Sequence, residues 1–196
     1  TYLGVPCVYG SSHVTNTYKL TRTTGKIRQL TFDQEHNWNQ NVMPNGRILY
    51  QRWEYSDLPH SNSRFLMQMN PDGTGQAEFY GSGSYFPNSI FYPRVMPGTT
   101  NKVVGIATGH HGTMRSGRMI VFDPKVGTRE NTGCVHEFPY SKRPVTRKIA
   151  DRLVDGDWPK FLHPFPLSES HVIAVAQLSP RSPWGVYLVD THDNMV

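Results

Sequence analysis

Residues 65–80, FLMQMNPDGTGQAEFY, have the pattern of a β-hairpin. Phe65, Met67 and Met69 recur at every second position, as side chains do on one face of a strand. The NPDG stretch that follows supplies Pro and Asp where a tight turn accepts them, and Gly73 where the backbone φ must be positive. AEFY then returns as a second strand, so the stretch predicts a strand, a turn and a strand.

The hairpin pattern recurs along the chain. It appears in 18–32 (YKLTRTTGKIRQLTF), in 118–138, which begins RMIVFDPKVG, and in 185–196, which begins GVYLVDTHDN. A second pattern precedes the later copies and consists of an apolar residue with Pro, a short polar turn and a β-rich run; it occupies 42–55, 95–108 and 165–178. Together the patterns give four strands per unit at a spacing of roughly fifty residues, which is typical of propeller blades.

These repeats predict an all-β chain that forms a partial β-propeller of four-stranded antiparallel blades. A sandwich with irregular strands is the alternative; it explains the short strands but not the repeated order of units. We interpret 1–138 as blades, the first of them partial, 139–160 as an insertion or linker, and 161–196 as a further incomplete blade or the start of the next domain. Since a closed propeller needs at least about four blades, we expect a fragment of a larger protein.

The segment 139–160 interrupts the strand pattern. Val145, Ile149 and Leu153 fall at i, i+4 and i+8, and Val154 extends this apolar stripe. That spacing predicts a short amphipathic helix near 144–156, packed as an insertion on one face of the propeller.

Composition narrows the class of protein. Of 196 residues, 37% are hydrophobic and 18% charged, with 17 Gly and 15 Pro, a balance that suits short strands and turns. The net charge is +5, but apart from 142–148 the basic residues are dispersed, so we expect no nucleic-acid partner. No apolar run has the length of a membrane span. Cys7 and Cys134 lie in different predicted blades and are expected to be separate buried thiols.

Histidines are the main candidates for a binding site. Imidazole titrates near neutral pH and binds metals or haem iron, and loops and strand ends are where propellers build sites. His110 and His111 are the first pair to test for a metal; a hydrogen-bonded structural role is the alternative for each histidine. The candidate binding residues are His36, Arg52, Glu54, His60, His110, His111 and His163.

No reaction is indicated by the sequence. The acids near these histidines, Glu54, Asp57, Asp151, Asp155 and Asp157, have no spacing that selects a catalytic pair. A GxSxG elbow and a Gly-rich phosphate loop are both missing from the sequence. A carbohydrate- or peptide-binding surface is a further hypothesis, and it would use the aromatic residues Trp38, Trp53, Tyr85 and Trp158.

Several motifs together resemble those of large bacterial proteins related to the hydrazine synthase alpha subunit. They are HNWNQNVMPNGRILYQRWEYSDLPHSNSR (36–64), MNPDGTGQ (69–76), GSYFPNS (83–89), GHHG (109–112), LVDGDWPKFLHPFPLS (153–168) and SPWGVYLVD (182–190). MNPDGTGQ and TGKIRQLTF (24–32) also resemble TolB-type propeller repeats. The resemblance implies an exported protein, periplasmic or extracellular, with an N-terminal propeller and, in the synthase subunit, a following c-type haem domain.

Haem attachment cannot be assigned to these residues. Covalent c-type haem needs a CxxCH motif, which the sequence lacks. We therefore expect a non-catalytic propeller segment that acts as a scaffold or interaction surface, with no cofactor evident. Its partners would be the remaining blades and domains, and possible protein or small-molecule ligands. The alternative is part of a redox enzyme related to the alpha subunit, whose metal or haem site is completed outside the fragment.

Overall fold

The computed structural model describes residues 2–6, 13–54, 58–99, 101–113 and 115–196, with the backbone alone for 2–6 and 60. The described chain is all-β and contains several antiparallel sheets and almost no helix, as the sequence predicts. A single 3-10 turn spans His60–Asn62. The strands are β1 (Tyr2–Pro6), β2 (His13–Thr15), β3 (Tyr18–Thr21), β4 (Lys26–Gln29), β5 (Asn37–Val42), β6 (Ile48–Trp53), β7 (Arg64–Met69), β8 (Ala77–Tyr80), β9 (Ser89–Val95), β10 (Val103–Thr108), β11 (Arg118–Phe122), β12 (Cys134–Phe138), β13 (Lys160–Pro166), β14 (His171–Gln177) and β15 (Trp184–Asp190).

Most strands follow one another as antiparallel meanders. The first meander is β5-β6-β7-β8 and the second is β9-β10-β11-β12; one parallel bridge, between Arg64 and Ser89, joins them. A third sheet has the order β13-β14-β15, and β3 pairs with β4 as a separate hairpin. β1 pairs antiparallel with β2, ahead of the hairpin that the sequence predicts at 18–32.

The sheets pack face to face in chain order. β6 shows the reason, because adjacent side chains of a strand point to opposite faces. Tyr50 packs in the apolar cluster with Leu30, beside the β3–β4 hairpin, whereas Leu49 packs in the cluster between the first and second meanders. β10 repeats this arrangement: Val103 belongs to that same middle cluster, and Val104 belongs to the cluster shared with the third sheet.

The hairpin at 65–80 has the turn that its sequence predicts. Gly73 has a φ of 89°, and a Cβ at this position would lie 2.9 Å from the Leu30 carbonyl oxygen. The Asp72 carboxylate accepts hydrogen bonds from the backbone N–H and the hydroxyl of Thr74, at 3.0 and 2.7 Å. Glycine is therefore required both by the turn and by the close contact between this hairpin and the preceding one.

The helix predicted near 144–156 is wrong. Residues 144–150 are irregular and 151–156 form turns. Their carbonyl groups bond to other parts of the fold: Val145 and Ala150 accept from the side chains of Asn131 and Asn88, and Asp151 accepts from the backbone of His110. The apolar stripe is real, since Val145, Leu153 and Val154 are buried, but it packs as an irregular segment followed by turns, which leaves Ile149 exposed.

The structure describes one of the two cysteines that the sequence predicts to be separate thiols. Cys7 lies outside the described residues. Cys134 is a free thiol whose Sγ lies 3.4 Å from the Tyr80 hydroxyl oxygen, and burial raises the pKa of this thiol to about 12. Cys134 is therefore a protonated, unreactive packing residue at neutral pH.

Candidate functional site

A cavity of about 540 Å³ lies where the first and second meanders meet. It is bounded by the beginnings of β5, β7 and β9, the end of β6 and the loop from β10 to β11. We call it the His–Trp cavity. Its lining residues are His36, Trp38, Trp53, Arg64, Phe91, Gly109, His110, His111, Gly112, Thr113 and Arg115.

Aromatic rings form one wall of this cavity. The imidazole of His36 is nearly parallel to the indole of Trp38, with ring centroids 4.9 Å apart and an interplanar angle of 11°. Trp53 lies 5.8 Å from both rings, and the ring of His110 is tilted against Trp53 at 5.7 Å. These contacts present several flat faces with similar orientation, which suits a planar ligand.

Two arginines lie over these rings. The Cζ atom of Arg64 is 4.2 Å from the ring centroid of Trp53, and that of Arg115 is 5.4 Å from Trp38 and 5.1 Å from Phe91. Arg115 is exposed and has no acidic partner within the described part of the chain. Cation–π contacts orient each guanidinium while leaving its N–H donors directed at other groups.

His36 is held in one tautomer by Thr15. Its Nδ1 accepts the backbone N–H of Thr15 at 3.1 Å and lies 2.7 Å from the Thr15 hydroxyl oxygen. In the neutral ring the hydrogen is therefore on Nε2, which makes this atom a donor. Burial lowers the pKa of His36, the charges of Arg64 and Arg115 lower it further, and Glu35 opposes them. His36 is consequently neutral at neutral pH.

The pKa of His36 predicts a loss of stability in mild acid. Because the pKa of His36 in the folded protein is below the ordinary histidine value of 6.5, the unfolded chain takes up this proton first, and stability falls as the pH falls through the folded pKa. His36→Gln should reduce that loss, measured as the change in urea midpoint between neutral and mildly acidic pH. His192→Gln, at an exposed position, is the control and should lose as much stability as the wild type. An unchanged loss in His36→Gln would refute the assignment. Half-buried His136, whose pKa is also lowered by burial, contributes equally in both proteins.

The GHHG loop fits closely against residues 151–155. A Cβ on Gly109 would lie 2.4 Å from the Asp151 carbonyl oxygen, and one on Gly112 would overlap the carboxylate of Asp155. Nδ1 of His111 lies 2.9 Å from the Asp151 carboxylate, and this hydrogen bond lowers the pKa of Asp151. The two glycines thus allow the contact that places His110 and His111 at the cavity, with their rings 4.3 Å apart.

Some of the predicted site residues lie in one cavity, and others lie apart from it. His36, His110 and His111 line the His–Trp cavity. Arg52 instead forms ion pairs with Asp33 and Glu54, at 2.8 and 3.1 Å.

The other candidates lie elsewhere. The ring of His163 contacts Tyr92 beside a second cavity. The side chain of His60 and the whole of Asp57 lie outside the described residues. Among the residues that the structure does describe, no cluster of three or more His, Cys, Asp or Glu side chains could hold a metal ion. Metal binding by His110 and His111 therefore stays a prediction.

Sequence reasoning missed the two arginines. Arg64 begins β7 and Arg115 follows the GHHG loop, and both are ordinary basic residues in an unremarkable local pattern. Trp38 and Trp53, which the aromatic hypothesis named, do share the cavity. Tyr85 and Trp158 lie elsewhere: Tyr85 contacts Glu130, and Trp158 lines a different cavity.

The comparisons with known proteins support a distant likeness of fold. No protein-family model and no curated protein sequence matches this chain. Among solved structures, the chain is similar to the hydrazine synthase of Kuenenia stuttgartiensis, with a TM-score of 0.55 and 17% identity over 84% of this chain and 19% of that chain. This chain thus spans about a fifth of that protein chain. At 17% identity the likeness shows the fold alone.

No helix among the residues that the structure describes is long and apolar enough to cross a bilayer.

Proposed function

We propose that the sheets are consecutive blades of a β-propeller, with TolB-type hairpins, in an exported multidomain bacterial protein. The segment is non-catalytic and serves as a scaffold that presents the His–Trp cavity as a binding surface. Face-to-face packing of successive sheets in chain order supports the propeller assignment. The distant likeness of fold to a hydrazine synthase is compatible with it.

The ligand of this cavity is a carboxylate carried on a planar group. The observation that carries this proposal is the guanidinium of Arg115, which lies over Trp38 and Phe91 and has no acidic partner among the described residues. Arginine pairs with carboxylates through two parallel, charge-assisted hydrogen bonds. The flat faces of Trp38 and Trp53 then receive the planar body of the ligand.

His36 and His111 also favour a ligand with an anionic or acceptor oxygen. His36 offers an Nε2–H donor rather than a lone pair, because its Nδ1 is occupied by Thr15. A ring nitrogen with that tautomer favours an oxygen acceptor over a metal ion. The carboxylate of Asp151 is paired with His111, which reduces its repulsion of an anionic ligand.

Benzoate is a suitable probe, because it combines one carboxylate with one planar ring. We expect the protein to bind benzoate more tightly than acetate in isothermal titration calorimetry. Arg115→Gln should weaken benzoate binding about tenfold, the equivalent of about 1.4 kcal/mol, by removing one charged donor pair. Arg181→Gln, at an exposed position outside the cavity, is the matched control and should bind as the wild type does.

Two outcomes would overturn the assignment. Equal affinity of Arg115→Gln and wild type would exclude this guanidinium as the anion partner. Equal affinity for benzoate and acetate would exclude the aromatic wall as part of the site. Circular dichroism of Arg115→Gln should match the wild type, because this exposed side chain contributes little to folding.

A redox enzyme is the second candidate function. It is favoured by the convergence of His36, His110 and His111 on one cavity. In that case the metal or haem site would be completed by regions outside these residues. Stoichiometric metal binding that is lost when His110 and His111 are both changed to Ala would support it over the anion-binding function.

A further inference from the structure

The first strands of the two meanders and of the third sheet have the same irregularity. β5, β9 and β13 each carry a shift in register against the neighbouring strand, between Trp38 and Asn41, between Phe91 and Arg94, and between Leu162 and Phe165. Within each shift one residue that is not glycine has a left-handed backbone, and these residues are Asn39 (φ 57°), Tyr92 (φ 51°) and His163 (φ 48°).

This backbone conformation is costly for two of the three residues. Asparagine tolerates it, but a left-handed φ strains the backbone at Tyr92 and His163. Bulges change the direction of side chains and occur next to binding sites. Here the bulge in β9 gives adjacent residues different surroundings, since Phe91 lines the His–Trp cavity and Tyr92 lines another.

The three bulges surround a second cavity of about 310 Å³, which we call the bulge cavity. Its volume is at the lower end of the range of about 300 to 1,000 Å³ that is usual for small-molecule sites. The lining residues are Asn39, Gln40, Asn41, Tyr92, Arg94, His163, Pro164 and Phe165.

Each side-chain amide of this cavity donates at least one hydrogen bond to the protein. The Asn39 side-chain N–H₂ donates to Gln51 at 3.0 Å, that of Gln40 donates to Thr17 at 2.9 Å, and that of Asn41 donates to the Pro93 carbonyl at 2.8 Å. Within the described residues, no donor reaches the amide oxygens of Asn39, Gln40 or Asn41. The amide orientation is therefore fixed with acceptor oxygens left for another molecule.

The polar and charged groups of the cavity together favour a neutral ligand over an ion. None of its lining residues is acidic and Arg94 is a cation, so a cationic ligand would be repelled without compensation. An anion could pair with the guanidinium of Arg94, but it would also meet the amide oxygens of Asn39, Gln40 and Asn41, which offer it no hydrogen bond. A neutral molecule with several hydroxyl donors satisfies both conditions.

Aromatic rings add a flat surface. The ring centroids of Tyr92 and His163 are 4.1 Å apart, and the guanidinium of Arg94 lies 5.9 Å from the ring centroid of Phe165. Rings of this kind pack against the C–H face of a sugar while polar groups bind its hydroxyls. We propose that the bulge cavity is a binding site for a neutral saccharide, independent of the anion site in the His–Trp cavity.

Three neutral oligosaccharides of different linkage, cellotetraose, maltotetraose and mannotetraose, are suitable probes in isothermal titration calorimetry with the purified protein. We expect at least one of them to bind. His163→Asn removes a ring yet tolerates the left-handed backbone, and Gln40→Ala removes an acceptor at an exposed position. Each change should weaken binding about tenfold. His192→Asn, at an exposed turn, and Arg115→Gln should leave it unchanged.

The remaining outcomes overturn the proposal. Failure of all three probes to bind at millimolar concentration, or equal binding by wild type and both variants, would exclude a saccharide site here. Loss of saccharide binding in Arg115→Gln would show that the sugar binds in the His–Trp cavity and not in the bulge cavity. Tighter binding of the polyamine spermidine would show that the amide oxygens serve a cation. Benzoate binding by His163→Asn tests the anion site separately.

Discussion

Changing Arg118 to Met is expected to lower the free energy of unfolding by about 3 to 5 kcal/mol, the usual effect of leaving one partner of a buried ion pair alone. Arg118 and Glu137 lie on the adjacent strands β11 and β12, and their side chains are only 9% and 8% exposed. Nε and Nη2 of Arg118 reach the two carboxylate oxygens at 2.6 and 2.5 Å. Nη1 also donates to the Thr146 carbonyl at 3.2 Å, which anchors the irregular segment.

The double variant Arg118→Met/Glu137→Met separates charge from packing. It removes both ions and should recover most of the lost stability in guanidinium chloride unfolding, because apolar groups of similar volume replace a desolvated pair. Arg152→Ala breaks an exposed ion pair with Asp155 and should change stability by less than about 1 kcal/mol. If the single variant Arg118→Met lost no more than Arg152→Ala, the buried pair would not hold the outer strands together.

Changing Lys160 to Met should lower the free energy of unfolding by about 2 to 3 kcal/mol, since buried acceptors would lose a charged donor. Lys160 begins β13 and is 3% exposed. Its ammonium donates to the carbonyl oxygens of Val154, Asp155 and Asp157 and lies 4.3 Å from the ring centroid of Trp158. The side chain thus joins the turns at 151–156 to the third sheet.

Thermal unfolding checks this prediction. Lys142→Met changes an exposed lysine of the same segment and should leave the melting temperature within a degree or so of the wild type, as surface substitutions usually do. Lys160→Met should melt several degrees lower. Equal melting temperatures for the two variants would mean that water replaces the ammonium at these carbonyls.

The local parts of the fold could be predicted from the sequence. In the hairpin at 65–80, alternation fixes the strand faces, and Asp72 and Gly73 form the turn through contacts within a few residues. The residues that determine a tight turn lie within the turn itself, so a short stretch of sequence is enough to predict it. The all-β class followed from several copies of this signal.

The segment near 144–156 shows where local reasoning fails. Its apolar spacing fits a helix and also fits an irregular segment with turns, in which Val145, Leu153 and Val154 are buried. The choice is made by distant donors, such as the side chains of Asn88 and Asn131, which bind the carbonyls that a helix would use internally. No spacing within the segment could show those partners.

For the candidate site, the sequence indicated which residue types take part but not how they are arranged in space. The sequence singled out His36, His110 and His111, and the fold brings them to one cavity. It could not show that Arg115 would lie over Trp38, because this contact depends on how two meanders meet. The bulges were also missed, since the left-handed residues Tyr92 and His163 do not favour that backbone by themselves.

The most direct test of the anion-binding function is a crystal structure of the protein soaked with para-bromobenzoate, using the anomalous signal of bromine. We predict one bromine position within the His–Trp cavity, with the carboxylate in hydrogen-bond distance of Arg115 or Arg64 and the ring against Trp38 and Trp53. A bromine position at any other surface, with the cavity left unoccupied by the probe, would contradict the proposed function.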